Sequence, residues 1–238
     1  MATPSPNLTV HHLQVGQGER IPWLLEELSL PYTLKLYSRS PFLSPPDLAA
    51  KHPMGASPLL EDFTSNPSSP LLLAESGAIA EYIIHKYGSG RLALPPSHES
   101  YADFLYWFHF SNASLQPTTF RRFTARSVAA NLEDPRVKMS EERVERVLKH
   151  MDERLSQNTW LAGSEFTAAD VMTLFTLTTM RKFDAIDLSG YEGILGWMKR
   201  CTERPAYQTA MEKCDPELLK ERESLISATG PGKFVPKM

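Results

Sequence analysis

The stretch Leu71-Leu-Leu-Ala-Glu75-Ser76-Gly-Ala-Ile79-Ala-Glu-Tyr82-Ile83 passes from an unbroken apolar run, through an acid and a hydroxyl, into helical spacing. It reads as a buried strand feeding a helix. Ser76 is the expected N-cap, because its hydroxyl can accept from a first-turn amide that has no partner inside the helix. A helix start also offers amide donors and positive dipole to a carboxylate. Glu75, one residue earlier, adds a negative charge suited to an ammonium group a few ångströms away. Together the two residues form a receptor for an α-amino acid headgroup. Taken alone, the pair reads more readily as a plain cap beside a solvated acid.

Upstream lies Gly55-Ala56-Ser57-Pro58-Leu59-Leu60, a small-residue turn with Pro at the first position of a strand, which suits a cis bond in a tight turn. In order, Ser-Pro-strand, turn, strand and Glu-Ser-helix resembles the glutathione-binding half of the cytosolic glutathione transferases. The resemblance implies glutathione as the bound cofactor. It implies that Ser57, before cis-Pro58, pairs its backbone with the cysteinyl part of the tripeptide, and that Glu75 and Ser76 hold the γ-glutamyl headgroup. The family often has Lys where Ala56 stands, so a charge for the glycyl carboxylate must come from elsewhere. His52 and Lys51 are near in sequence, with a surface role the simpler reading of each.

Leu8 to Val15 is β-compatible and stops at Gly16-Gln17-Gly18, a first strand and a sharp turn. His11 and His12 then face opposite ways, which argues against a shared metal site. Ile21, Leu24, Leu25 and Leu28 fall at helical spacing, with Pro22 in the first turn and Glu26 and Glu27 expected outside. Tyr32 to Tyr37 alternates again. This β-α-β order requires a crossover and a parallel pairing, the opening of a thioredoxin-like fold. Prolines 41, 45, 46 and 53 make the segment from Ser38 to Pro53 a loop with at most a short helix over Asp47 to Lys51. Strands at Pro58 to Asp62 and Leu71 to Ala74 complete an α/β domain over residues 1–90. Gly88-Ser-Gly90 and Pro95-Pro96 mark a linker.

Residues 97–238 carry only helical patterns, so the fold class is α/β plus all-α, a thioredoxin-like domain followed by a helical one. Val144, Val147, Leu148, Met151 and Leu155 form a stripe on a helix otherwise dense in charge. Thr167 and Asp170 stand in capping-box spacing, and Phe166 can staple onto Val171. This is a folding signal. It is also similar to the N-capping box of the core helix in glutathione transferases, so the resemblance spans roughly residues 8 to 210 on a domain-scale reading of length. Aromatic residues crowd the region from Tyr101 to Phe123, and most belong to core or dimer contacts by their area. The excess suggests a broad apolar pocket for a second substrate, built from Tyr106, Phe110 and Phe120. Arg121, Arg122 and Arg126 read first as a solvated helix face, and second as partners for an acidic substrate or for a dimer mate.

Composition narrows the function classes. The 238 residues are 42% hydrophobic and 22% charged, an ordinary soluble profile. A net charge of −3 gives no case for nucleic acid. No run of about eighteen apolar residues suggests a membrane span, and Met1 to Pro6 lacks the features of a signal peptide. Cys201 and Cys214, both late, indicate neither a disulfide framework nor a zinc cluster, and no metal is expected. The expectation is a reduced, cytoplasmic protein. The family resemblance adds a homodimer.

Transferases of this family lower the pKa of the glutathione thiol with a donor at the end of the first strand, usually Tyr, Ser or Cys. A hydrogen bond to the anion favours the charged form, and the thiolate is the nucleophile. Fungal relatives commonly carry Ser followed four residues later by Arg-Ile and Leu-Trp. Matched on Arg20-Ile21-Pro22-Trp23, that pattern puts Gly16 at the serine position. Three readings stay open. Backbone amides of Gly16 to Glu19 stabilise the thiolate, with Gln14 or Gln17 adding a side-chain donor, and glutathione is directed to an electrophilic small molecule. Alternatively, the thiol adds reversibly to an electrophilic alkene and leaves again, a cis/trans isomerisation of the kind found in fungal secondary-metabolite pathways. In the third, the chain binds glutathione as a non-catalytic or regulatory module.

Overall fold

The computed structural model describes residues 5–235. In chain order its elements are β1 (Leu8–Leu13), α1 (Arg20–Glu27), β2 (Thr33–Tyr37), α2 (Pro46–Ala49), β3 (Leu59–Asp62), β4 (Leu71–Leu73) and α3 (Ser76–Lys86). Then follow α4 (Tyr101–Phe110), α5 (Gln116–Val128), α6 (Pro135–Gln157), α7 (Ala168–Leu177), α8 (Glu192–Thr202), α9 (Pro205–Cys214), α10 (Pro216–Lys220) and α11 (Arg222–Leu225). Two compact units result. One joins the residues up to Pro95 to Thr202–Arg222 and the chain from Phe234; the other holds Pro96–Cys201 and Glu223–Lys233.

The first unit is built on a four-stranded sheet in the order β2-β1-β3-β4, with β1 and β2 parallel and the other pairs antiparallel. All six residues of the inner strand β1 are buried. In α1 the expected stripe of Ile21, Leu24, Leu25 and Leu28 is buried to within 1%. Each such side chain stabilises by about 1.5–3 kcal/mol, which outweighs the poor intrinsic stability of so short a helix. Glu26 and Glu27 are half-buried rather than solvent-facing, because α9 packs on α1. Arg204 forks onto Glu27 at 2.6 and 2.8 Å, and Lys213 reaches Glu26 at 2.5 Å. The Tyr207 ring meets Trp23 edge-on at 5.1 Å.

Three local expectations are corrected. The run Leu71 to Leu73 is a strand, but it is the edge of the sheet, and Leu71 and Leu72 are 46% and 36% exposed. An apolar run does not by itself distinguish an edge from a buried position. Ser76 is the first residue of α3, not its cap. The cap position falls to Glu75, whose backbone stands at φ 69, ψ 113 with no side-chain capping bond. The first strand also ends at Leu13, two residues early, where Val15 turns the chain with φ 54.

In the second unit a π turn at Ser111–Leu115 joins α4 to α5 just before Pro117, which lacks the amide an uninterrupted α-helix would use. Val144, Leu148, Met151 and Leu155 are buried on α6 as the stripe requires. The capping box of α7 is present in both directions, with Thr167 and Asp170 exchanging side-chain to backbone bonds. Asp170 also accepts from Leu161 N at 3.0 Å and from Trp197 Nε1 at 2.8 Å. Arg122, expected on a solvated face, is buried, because Glu141 and Asp184 neutralise it at 2.6 Å each. Among the described residues no helix is long and apolar enough to cross a membrane.

Candidate functional site

Several of the residues singled out from sequence meet in the first unit. The Ser57–Pro58 peptide bond is cis. Ser57 Oγ accepts from Leu13 N at 2.9 Å and donates to His11 O at 3.3 Å, which fixes the loop before β3 against the end of β1. Gln17 Nε2 donates to the Ser57 carbonyl at 3.1 Å. The guanidinium of Arg20 then donates through Nη1 to Gln17 Oε1 and to Ser76 Oγ, each at 3.3 Å. A hydrogen-bonded chain therefore runs from Ser57 through Gln17 and Arg20 to Ser76. Arg20 is fully buried, and burial lowers its pKa to about 9 while Glu19 pulls it back up. Its charge lies beneath the start of α3.

Glu75 stands at the mouth of that chain. It is exposed, and its carboxylate has no ion pair among the described residues. A side-chain-bearing residue at φ 69 is strained. Such strain costs about 1–3 kcal/mol and persists where surrounding bonds over-determine it, often at ligand sites. Val15 is a second case: its N–H donates to Asp215 Oδ1 at 2.9 Å and its carbonyl accepts from Arg39 Nη2 at 2.7 Å. Arg39 also donates to Gln14 O at 3.1 Å and Phe42 O at 2.6 Å, clamping the turn after β1.

Gly16 lies in this clamped turn in ordinary extended backbone, φ −152. A Cβ there would come within 2.7 Å of the Leu13 carbonyl oxygen and 3.0 Å of Arg39 Nη2. Space, not conformation, excludes a side chain. Gly18 is equally constrained, since a Cβ would meet His12 Nδ1 at 2.5 Å. A short 3-10 turn at Gln17–Glu19 leads directly into α1, so the first amides of a helical segment follow Gly16. Gln14 points elsewhere, donating to Cys214 O at 3.2 Å and accepting from Ser38 at 3.3 Å. His52 accepts from Met54 N at 3.2 Å in its own turn.

His11 and His12 are both buried on opposite sides of β1. His11 meets Glu61 and Tyr37 at 2.9 Å each, and His12 Nε2 lies 2.7 Å from Asp215 Oδ2. Among the described residues, His12, Cys214 and Asp215 are the group whose donor atoms, within 4.8 Å of one another, a metal ion could use. Burial pushes the Cys214 thiol up, so it is an inert thiol that packs the end of α9.

In the second unit Phe110 is buried and packs on Trp107 at 4.9 Å, whereas Tyr106 and Phe120 are 50% and 57% exposed. Tyr106 bonds His150 at 2.9 Å. A cleft between α5 and α6 is lined by none of the three.

Residues 17–86 match the model of the glutathione S-transferase N-terminal domain, and residues 115–205 that of the C-terminal domain. Glutathione S-transferase 3 of Schizosaccharomyces pombe is 30% identical over 89% of this chain and 90% of its own. The chain belongs to the glutathione S-transferase family. It is a transferase-like enzyme of that family, with glutathione as cosubstrate. The glutathione S-transferase-like protein gedE of Aspergillus terreus is 25% identical over 84% of this chain and 94% of its own. A crystal structure of a glutathione S-transferase from Actinobacillus pleuropneumoniae superposes with a TM-score of 0.77 at 28% identity, covering 87% of this chain and 93% of that one. Arg20 and Arg39 had no assigned role in the sequence. Arg20 lay in the segment that aligns the family pattern, a usable signal; Arg39 left none.

Proposed function

We propose that the first unit holds glutathione and presents its thiol to an electrophilic small molecule. Glu75 takes the ammonium and Ser76 with the first amides of α3 takes the carboxylate of the γ-glutamyl headgroup. The backbone of Ser57 before cis-Pro58 pairs with the cysteinyl segment, which requires Gln17 to release the Ser57 carbonyl or to share it. The observation that carries this reading is Glu75, exposed, without an ionic partner and held at φ 69 directly before a buried Ser76 that Arg20 orients. With the Gly16 position closed to any side chain, the amides that follow it are the donors left for a thiolate. Gln17 is the nearer of the two side-chain candidates, because Gln14 is turned toward Cys214. Tyr106, Phe110 and Phe120 remain the proposed apolar lining for the second substrate, and His52 the proposed neighbour of the glycyl carboxylate. The protein works as a cytoplasmic homodimer in this reading.

The closed Gly16 position favours one second reading, a glutathione-dependent isomerase acting on an activated alkene, as in fungal secondary metabolism. There the thiol adds, the carbon–carbon bond rotates, and the thiol leaves, so glutathione is recovered.

Calorimetric titration of glutathione, with the ultraviolet absorbance of bound thiolate followed in the same samples near neutral pH, tests both. Saturable binding is expected, weakened at least tenfold in Glu75→Gln and in Ser76→Ala, since a hydrogen bond to a charged group contributes about 1.5–3 kcal/mol. A thiolate band identifies the transferase. Binding without the band directs attention to isomerisation. Absence of binding, or binding that Glu75→Gln leaves intact, removes the assignment.

A further inference from the structure

Asp215 stands between α9 and α10, where an aspartate ordinarily caps the helix that follows, yet its side chain makes no capping bond. The residue is buried, 3% exposed, and its carboxylate is turned toward β1 instead. Oδ1 accepts from Val15 N–H at 2.9 Å, and Oδ2 lies 2.7 Å from His12 Nε2. Burying a carboxylate is costly unless hydrogen bonds meet it. A buried aspartate that leaves its own helix uncapped is therefore committed to what it holds.

What it holds is the turn around Gly16. Val15 is β-branched and stands at φ 54, a region such side chains rarely enter. The peptide groups on both sides of it are bound: its N–H to Asp215, its carbonyl and that of Gln14 to Arg39, and the Gln14 N–H to Tyr37 O at 2.9 Å. Gln14 Nε2 adds its bond to Cys214 O, so the adjacent residues Cys214 and Asp215 grip the adjacent residues Gln14 and Val15. His12 carries the support past Gly16. A carboxylate only accepts hydrogen bonds, so Asp215 fixes the imidazole hydrogen on Nε2 and leaves Nδ1 on the side of Gly18. Nδ1 is buried without a hydrogen-bond partner among the described residues, and a Cβ on Gly18 would stand 2.5 Å from it. The ring thus packs directly against the 3-10 turn at Gln17–Glu19.

We propose that Asp215 is a positioning residue for the glutathione thiol: through Val15 on one side of Gly16 and the His12 ring on the other, it sets the direction of the amides from Gly16 to Glu19 that receive the thiolate sulfur. This role rests on the reading that the first unit holds glutathione with its thiol at those amides. A donor stabilises a developing anion only if it is already aimed. A hydroxyl can turn toward the sulfur, whereas a backbone amide is aimed by whatever holds its peptide. With no side chain at Gly16, that task falls to a residue 200 positions beyond Val15 that itself touches no substrate.

The test compares the parent with Asp215→Ala and Asp215→Asn as full chains. The absorbance of bound thiolate is followed against pH at saturating glutathione, and S-methylglutathione, which has no thiol to ionise, is titrated by calorimetry. Asp215→Ala removes both contacts and should lower the ionisation constant of the bound thiol about tenfold, about one pH unit. Asp215→Asn keeps an oxygen for Val15 but presents an amide hydrogen to His12, and should lower that constant about threefold. Being isosteric, it decides the matter where the alanine variant does not fold. S-methylglutathione is expected to bind both variants as it binds the parent, because Ser57, Glu75 and Ser76 are held by other bonds. A thiol titration unmoved in Asp215→Asn overturns the proposal, and so does an equal loss of S-methylglutathione affinity, which would make Asp215 a support of the fold alone. A parent that binds glutathione without a thiolate band overturns it too and leaves the headgroup site standing; a parent that binds neither ligand removes the glutathione reading as well.

Discussion

The turn after β1 is governed by a side chain that is absent, at Gly16. Because a Cβ at Gly16 would press on a backbone carbonyl rather than on a movable side chain, Gly16→Ser does not restore a lost activating hydroxyl. It is expected to lower stability by about 1–3 kcal/mol, the range for forcing extra volume into a packed site. Thermal melting and the thiolate absorbance of the glutathione-saturated variant check the two halves of this statement. Arg20 makes the converse point. It contacts both Gln17 and Ser76 from beneath, so Arg20→Met should weaken glutathione binding about tenfold, consistent with the cost of one charge-assisted hydrogen bond. Calorimetry reads it, and an unchanged affinity would show Arg20 to be packing alone. Glu75, Ser76 and Ser57–Pro58 were legible because each pair is adjacent in sequence and carries its own local chemistry. The bridge through Arg20 was not, since it spans 56 residues to Ser76 and no spacing rule reaches that far.

Helices and strands were legible where periodicity met a strong stop. The stripe of α1, the stripe of α6 and the Thr167-to-Asp170 box all stand where their residues place them. The edge position of β4 was not legible, for its three leucines look alike in an inner or an outer strand. Asp170 shows what a single residue can do for an element. Its carboxylate serves as acceptor for Thr167, Leu161 and Trp197 at once, tying the start of α7 to the preceding turn and to α8. Asp170→Asn turns an amide donor toward one of those donors and should cost about 1–3 kcal/mol, the range for one buried donor left without an acceptor. Burial lifts this carboxyl from 3.8 to about 6 against the pull of its hydrogen bonds. Between those two values the folded chain keeps a proton that the unfolded chain has released. Its contribution to stability therefore falls as the pH rises through that window and is level above it. Urea denaturation at intervals from pH 4 to pH 7 should show that slope in the parent and not in Asp170→Asn.

At the scale of the whole molecule the chain crosses four times between its units, after Pro95, Cys201, Arg222 and Lys233. Residues 202–222 complete the first unit, and 223–233 return to the second, where Arg181 donates to the carbonyls of Ile186, Ser227 and Ala228 at 2.6–3.0 Å. Sequence could mark a linker at Pro95-Pro96 from composition, but a helix that folds back across some hundred residues leaves no local mark. A chain ended at Cys201 is expected to be insoluble or aggregated, since it uncovers the α9-facing side of α1 with Trp23 and leaves Glu27 without Arg204. A chain ended at Lys233 should match the parent, and light scattering with circular dichroism separates the two. The same return path sets a schedule for synthesis. Once β1 to α3 have left the ribosome, the α9-facing side of α1 stays open until the chain has grown from Lys86 to Cys214, roughly 6–26 s at the usual elongation rates. For that interval the nascent sheet and helix are a half-built unit whose uncovered apolar surface is open to aggregation.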